Sequence, residues 1–131
     1  MSIRLKDPTL LRQQAYIAGA WADADDGATV AVTNPANGQR IGTVPMCGAD
    51  ETARAIAAAE KAQKAWARVP AKERSAILRR LNDLMLANVD DIALIRTTEQ
   101  GKPMAESRGE IAYSASFIEW FAEEARRVYG D

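Results

Sequence analysis

With 131 residues, seventeen Lys and Arg against eighteen Asp and Glu, and a net charge of -1, the chain has the length of one domain, and a domain of that size buries roughly two thirds of the surface its unfolded chain exposes. Both signs of charge are interleaved, so no basic stripe points to nucleic acid or to an anionic membrane, and no run approaches the roughly 18 apolar residues that span a bilayer. Histidine is absent, which removes the commonest general base and the commonest zinc ligand, while the lone Cys47 and the lack of a signal-peptide pattern at the start predict a reducing, cytoplasmic setting.

Residues 14–45 have strand character. Tyr16, Ile17 and Trp21 flank the turn-forming Ala18-Gly19, Thr29-Val30-Ala31-Val32-Thr33 is rich in β-branched side chains, and Ile41-Gly42-Thr43-Val44 follows a turn. That turn, Asn34-Pro35-Ala36-Asn37-Gly38, has a mechanism: Pro35 fixes φ, and Asn37 and Gly38 tolerate positive φ. A β-meander over residues 1–48 is the expectation.

Beyond Gly48 the period turns helical. Asp50 is placed as the N-cap of an alanine-rich helix reaching Trp66, with Ile56, Ala59 and Trp66 near one face. A second helix starts at Pro70, where the missing N–H costs nothing, and Ile77, Leu78, Leu81, Leu84 and Met85 draw a stripe opposite Arg79, Arg80, Asn82 and Asp83. Asp90 is placed as cap of a third helix carrying Ile92, Ile95 and Thr98, which Gly101 and Pro103 stop. The fourth helix is expected from Pro103 to Tyr129. It has two apolar sides: Ile111, Ala115, Ile118, Ala122 and Ala125 on one, and Tyr113, Phe117, Trp120 and Phe121 on the other. Two apolar faces need two partners, and only the local helix layer is evident in the chain. The predicted class is therefore α+β, a β-meander followed by a helical part over residues 49–131, with no repeat or linker.

Chemistry-bearing residues are few. Cys47 precedes a helix, where a thiol pKa can fall, but with no histidine or other activating partner it reads as structural. The pairs Glu106 with Glu110 and Glu119 with Glu123 place like charges on one helix face, moderated by Arg108, Arg126 and Arg127, the pattern of a solvated surface. Gly101-Lys102 lacks the upstream glycine of a P-loop, and no Gly-x-Gly-x-x-Gly occurs. Glu99 is either a helix-end residue in water or a ligand, and the i, i+4, i+7 set Tyr113, Phe117 and Trp120 is by spacing a core stripe. No residue is nominated as catalytic or as cofactor-binding.

The co-occurrence, in order, of Gln13-Gln14-Ala15-Tyr16-Ile17 with Gly19 and Trp21, Val32-Thr33-Asn34-Pro35-Ala36-Asn37-Gly38, Glu73-Arg74 with Leu78, Glu99-Gln100-Gly101-Lys102-Pro103, Phe117-Ile118-Glu119-Trp120-Phe121-Ala122-Glu123-Glu124-Ala125 and Tyr129-Gly130-Asp131 resembles the N-terminal region of the aldehyde dehydrogenase superfamily, in particular that of bacterial succinate-semialdehyde dehydrogenases. The resemblance covers nearly the whole chain. It implies an N-terminal fragment of the α/β cofactor-binding domain of an enzyme that oxidises an aldehyde with NAD or NADP, as a homo-oligomer, through a cysteine thiolate and a glutamate base. In the family those residues and the nucleotide-binding strands lie beyond the stretch matched here, so the chain alone is expected to be inactive and to bind no dinucleotide.

Two features carry over by motif position. The backbone at Thr33 and the acidic Glu99, where relatives have aspartate, are implied to help hold a monovalent cation. The long helix is implied to line the aldehyde entrance, nominating Tyr113, Phe117 and Trp120. The competing expectation is a non-enzymatic helical interaction module or truncated gene product, which requires a self-sufficient core.

Overall fold

The structure, a computed structural model, describes residues 3–127 and 129. After a 3₁₀ turn at Pro8–Leu10, strands β1 (Ala15–Ile17) and β2 (Ala20–Ala22) form one antiparallel hairpin and β3 (Thr29–Thr33) and β4 (Arg40–Pro45) a second. Four helices follow: α1 (Ala49–Trp66), α2 (Ala71–Ala87), α3 (Val89–Gln100) and α4 (Met104–Glu124). The α+β class stands.

The strands are organised differently from the predicted meander, because the two hairpins form separate two-stranded sheets. Residues 23–28 turn the chain away between them. Gly27, at φ 71°, closes a turn onto the Ala24 carbonyl, and the Asp26 carboxylate accepts the Ala28 N–H. In the first hairpin Ala18 and Gly19 both take positive φ, 54° and 86°, the turn geometry that matches strand twist. In the second, the Asn34 and Asn37 side chains accept the N–H groups of Ala36 and Gln39, and the register slips between Val32 and Thr33, leaving Ile41 as an extra residue on β4.

The Arg12-Gln13-Gln14 opening fastens the two hairpins. Arg12 stacks 4.9 Å from the Trp21 ring centroid, Gln13 accepts the Thr43 N–H at 2.8 Å, and Gln14 donates to Asp23 at 3.1 Å. A Cβ on Gly42 would stand 2.7 Å from the Gln13 side-chain oxygen, which explains the small residue in mid-strand.

Polar anchors join the hairpins to the helices. Glu51, not Asp50, organises the start of α1: with Gly48 at the N-cap, its carboxylate accepts the N–H groups of Gly48 and Asp25, both at 2.8 Å. Asn88, not Asp90, stands at the N-cap of α3. The buried Asp91 instead receives the N–H groups of Lys6 and Asp7, while Asp90 pairs with Arg108 and Lys6.

The core is a seam of small residues. On α4, Ser107, Ala115 and Ala122 are 0–1% exposed and Ile111 is buried beside them. The face of α2 that meets α4 carries buried Ser75 and Asn82, whereas Ile77, Leu81 and Leu84 of the predicted stripe are largely exposed. A polar residue takes the inner position because the Asn82 amide donates to the buried Ala115 carbonyl at 2.9 Å. Thr97 of α3 donates to Ser107 at 2.9 Å. Helix α1 is exposed along almost its whole length beyond the first turn, and α4 stops at Glu124 rather than Tyr129, its last turn tightened by bonds from Arg126 to Glu123 and from Arg127 to Glu124. Val128, Gly130 and Asp131, like Met1 and Ser2, lie outside the described residues.

Gly101 ends α3 as the sequence predicts. Its φ is 72°, its N–H bonds to the Thr97 carbonyl, and a Cβ there would meet Pro35 Cγ at 2.9 Å. Gly101→Ala therefore combines left-handed strain with a clash, and is expected to destabilise by about 1–3 kcal/mol in denaturant unfolding; an unchanged midpoint would mean that the α3 end is not held against the 34–38 turn.

Acid should loosen the anchors. The carboxyls of Asp7, Asp25, Glu51 and Asp90 all lie below the ordinary range, chiefly through the Thr9 hydroxyl, the Arg54 side chain, the Asp25 N–H and the Arg108 side chain respectively. Because the native pKa values are depressed, their contribution is complete above the unfolded values near pH 4 and is lost as pH falls through the native ones. Melting followed by circular dichroism is expected to be flat down to about pH 5 and to fall below about pH 4, with part of that acid limb missing in Glu51→Gln. An acid limb unaltered in Glu51→Gln would remove Glu51 from this account.

Candidate functional site

Helix α4 shows its second apolar face to the outside. Tyr113, Phe117, Trp120 and Phe121 are exposed by 65, 47, 60 and 59%, although Ser107, Ile111, Ala115 and Ala122 on the opposite side of the same helix are buried. Tyr113 and Phe117 pack edge to face with centroids 4.8 Å apart, one helical turn from each other. Phe117, Trp120 and Phe121 share a shallow groove with Ser116, Glu119 and Glu123. Helical spacing thus brings the three nominated aromatics onto one face. Within this chain that face is left uncovered.

Thr33 and Glu99 come from segments that touch. Thr33 ends β3 at the bulge, Glu99 lies in the exposed last turn of α3, and Pro35 packs on Gly101 two residues beyond Glu99. Among the described residues no three His, Cys, Asp or Glu side chains gather as a metal centre.

The remaining candidates take structural roles. Lys102 pairs with Glu110, which Arg96 also grips, so the Gly-Lys pair carries no free cation for a phosphate. The glutamates of α4 are met partly across helices, where Arg79 of α2 reaches Glu119 at 3.5 Å and Glu123 at 3.1 Å, and partly as expected by Arg127, 3.8 Å from Glu123, whereas Arg108 turns to Asp90 at 2.9 Å. Cys47 is half-buried between β4 and α1, with no histidine in the chain to activate it.

Among the described residues the strands are antiparallel, and no parallel strand feeds a glycine-rich turn into a helix. Each of the four helices also has a carboxylate in its first turn: Asp50 and Glu51, Glu73, Asp90 and Asp91, and Glu106. Negative charge at those positions opposes the pyrophosphate that a helix N-terminus otherwise attracts.

Sequence reasoning missed Glu51, Asp91 and Asn82 as organising groups. A Glu at the third position of α1 was a usable capping signal, whereas nothing local marks Asp91 or Asn82.

Comparison with known proteins places this geometry. The chain is 65% identical over 129 residues to the glutarate-semialdehyde dehydrogenase of Pseudomonas putida, spanning 98% of this chain and 27% of that protein. It is 57% identical, over the same length and shares, to the NADP-dependent succinate-semialdehyde dehydrogenase of Escherichia coli. The crystal structure of an aldehyde dehydrogenase from Brucella melitensis biovar abortus superimposes with a TM-score of 0.95 at 61% identity, over 97% of this chain and 26% of that one. The chain thus spans little more than a quarter of the length of these relatives. Residues 21–131 match the model of the aldehyde dehydrogenase family, and the chain belongs to that family.

Proposed function

We propose that the chain is the N-terminal portion of an NAD(P)-dependent aldehyde dehydrogenase that oxidises a short dicarboxylic semialdehyde, succinate semialdehyde or its glutarate homologue, to the diacid. The observation that carries the reading is the high identity along nearly the whole chain to enzymes named for those two substrates. Within such an enzyme the α4 aromatics form one wall of the aldehyde entrance, and the Thr33–Glu99 junction helps hold a monovalent cation.

The exposed faces support a chain that packs against more protein. Alongside the α4 aromatics, Ile56 of α1 and Ile77, Leu81, Leu84 and Leu86 of α2 are exposed, while among the described residues the buried hydrophobics are Ala24, Ala93, Ile111, Ala115 and Ala122. A core of that size does not suit a self-sufficient interaction module. Oxidation itself is the chemistry of the nicotinamide when bound, and the residues present here do not fit that group. Their contribution is shape: an apolar, aromatic approach that excludes water from an aldehyde.

Kinetics of the complete enzyme test the reading. Succinate and glutarate semialdehydes are expected to exceed uncharged aldehydes of equal length in kcat/KM by roughly a hundredfold, the worth of a charge-assisted hydrogen-bonded contact in the transition state; a preference for the uncharged compounds would exclude it. Trp120→Ala is expected to change KM according to aldehyde size with little loss of stability, whereas equal effects on all aldehydes together with a large fall in Tm would make the aromatics core. For the 131-residue chain, calorimetric titration with NAD and NADP is expected to show no saturable binding in the micromolar range, and saturation there would contradict the proposed division of labour.

A further inference from the structure

A cleft of about 300 Å³ opens where β4, the 34–38 turn and the end of α3 meet, and Arg4, Asn34, Asn37, Gln39, Arg40 and Thr98 supply its polar wall. The residues come from three separate stretches of sequence. No Asp or Glu stands on that wall, and among the described residues neither Arg4 nor Arg40 forms an ion pair. Other arginines are also without an ion pair among the described residues, but Arg4 and Arg40 line one hollow together with no carboxylate beside them.

The hydrogen-bonding capacity is also one-sided. Asn34 and Asn37 have already committed their side-chain oxygens, which accept the N–H groups of Ala36 at 2.9 Å and Gln39 at 3.0 Å. Those bonds fix the orientation of each amide, so it is the NH₂ group that is left without an internal partner. Thr98 gives its hydroxyl proton to the Leu94 carbonyl at 2.7 Å. What remains are two planar five-donor guanidiniums and two amide NH₂ groups, with the Gln39 amide able to turn either way. A donor set of that kind has one complementary ligand class.

We propose that this cleft binds a small polyvalent oxyanion, a phosphate or a dicarboxylate, with Arg4 and Arg40 as the charged clamp and the Asn34 and Asn37 amides as neutral donors. The volume is at the small end of the range for ligand sites, which favours an ion or a terminal group over a whole nucleotide. The inference stands apart from the Thr33 and Glu99 reading, since neither of those residues lines the cleft.

The test is titration of the complete enzyme with inorganic phosphate and, separately, with malonate, at constant potassium and matched ionic strength, read by calorimetry and by the shift in Tm, the cleft's share being the binding that substitution of Arg4 or Arg40 removes. Saturable binding is expected, weakened roughly tenfold or more by Arg4→Gln and by Arg40→Gln, the loss of one charge-assisted contact, and unaltered by Arg68→Gln, an exposed arginine off the cleft. Tighter binding of phosphate identifies a phosphate group as the ligand, and tighter binding of malonate a carboxylate; either supports the site. Asn37→Asp keeps the oxygen that holds the turn but puts negative charge into the cleft, so it should weaken binding in a chain whose circular dichroism is native. The proposal is overturned by titrations that do not saturate, by variants that bind as well as the parent, or by an equal loss in Arg68→Gln, which would reveal general charge attraction only.

Discussion

Ser107, Ala115 and Ala122 present so little bulk along one face of α4 that α2 and α3 approach closely enough for the Ala115 carbonyl to receive the Asn82 amide and for Ser107 to receive the Thr97 hydroxyl. Close approach multiplies dispersion contacts between backbones, and it dehydrates the polar groups at the seam. Asn82 and Thr97 find their acceptors across helices, whereas the buried Nε groups of Arg74 and Arg96 have no partner among the described residues. The directions of α2 and α3 relative to α4 follow from this matching. So does the outward position of Leu81, Leu84 and Leu86, because the helix can offer only one face at a time.

Carboxylates do for the hairpins what the seam does for the helices. Two-stranded sheets are marginal in water, and here each is held by side chains from elsewhere. Glu51 holds the 23–28 turn from the start of α1, Asp91 holds the backbone at Lys6 and Asp7 from α3, and Gln13 is laid along β4. The first two are buried carboxylates accepting backbone N–H groups, interactions stronger than neutral hydrogen bonds and directional enough to set where each hairpin sits. Pro35, two residues beyond Thr33, packs on Gly101 at the end of α3.

Small residues inside and large ones outside is an inversion of the usual arrangement. The aromatic face of α4 and the leucine face of α2 have the character of surfaces that expect cover, which accords with a chain that spans little more than a quarter of its relatives' length. Membership of the aldehyde dehydrogenase family and the outward aromatic face are thus two sides of one fact. The helix layer shapes an apolar wall, and its chemistry depends on what stands across from that wall.

The sequence by itself determined the elements and their order. Gly101 with φ 72° ends α3 where a glycine before Lys102-Pro103 predicts a stop, and the Asn34 to Gly38 turn closes as its residue types require, because capping and turn geometry are decided within a few residues. The two-faced character of α4 was equally legible from its 3.6-residue period. What tertiary structure decided was which face is inside. Periodicity marks Leu81 and Leu84 as apolar but cannot tell that Asn82, between them, will find a buried carbonyl 33 positions away. It likewise cannot tell that β2 and β3 will not pair, since that depends on Glu51 drawing off the intervening turn. The clustering of Arg4 with Arg40 was invisible for the same reason: local signals reach a few residues along the chain, whereas these placements are set by partners that only folding brings within hydrogen-bond distance.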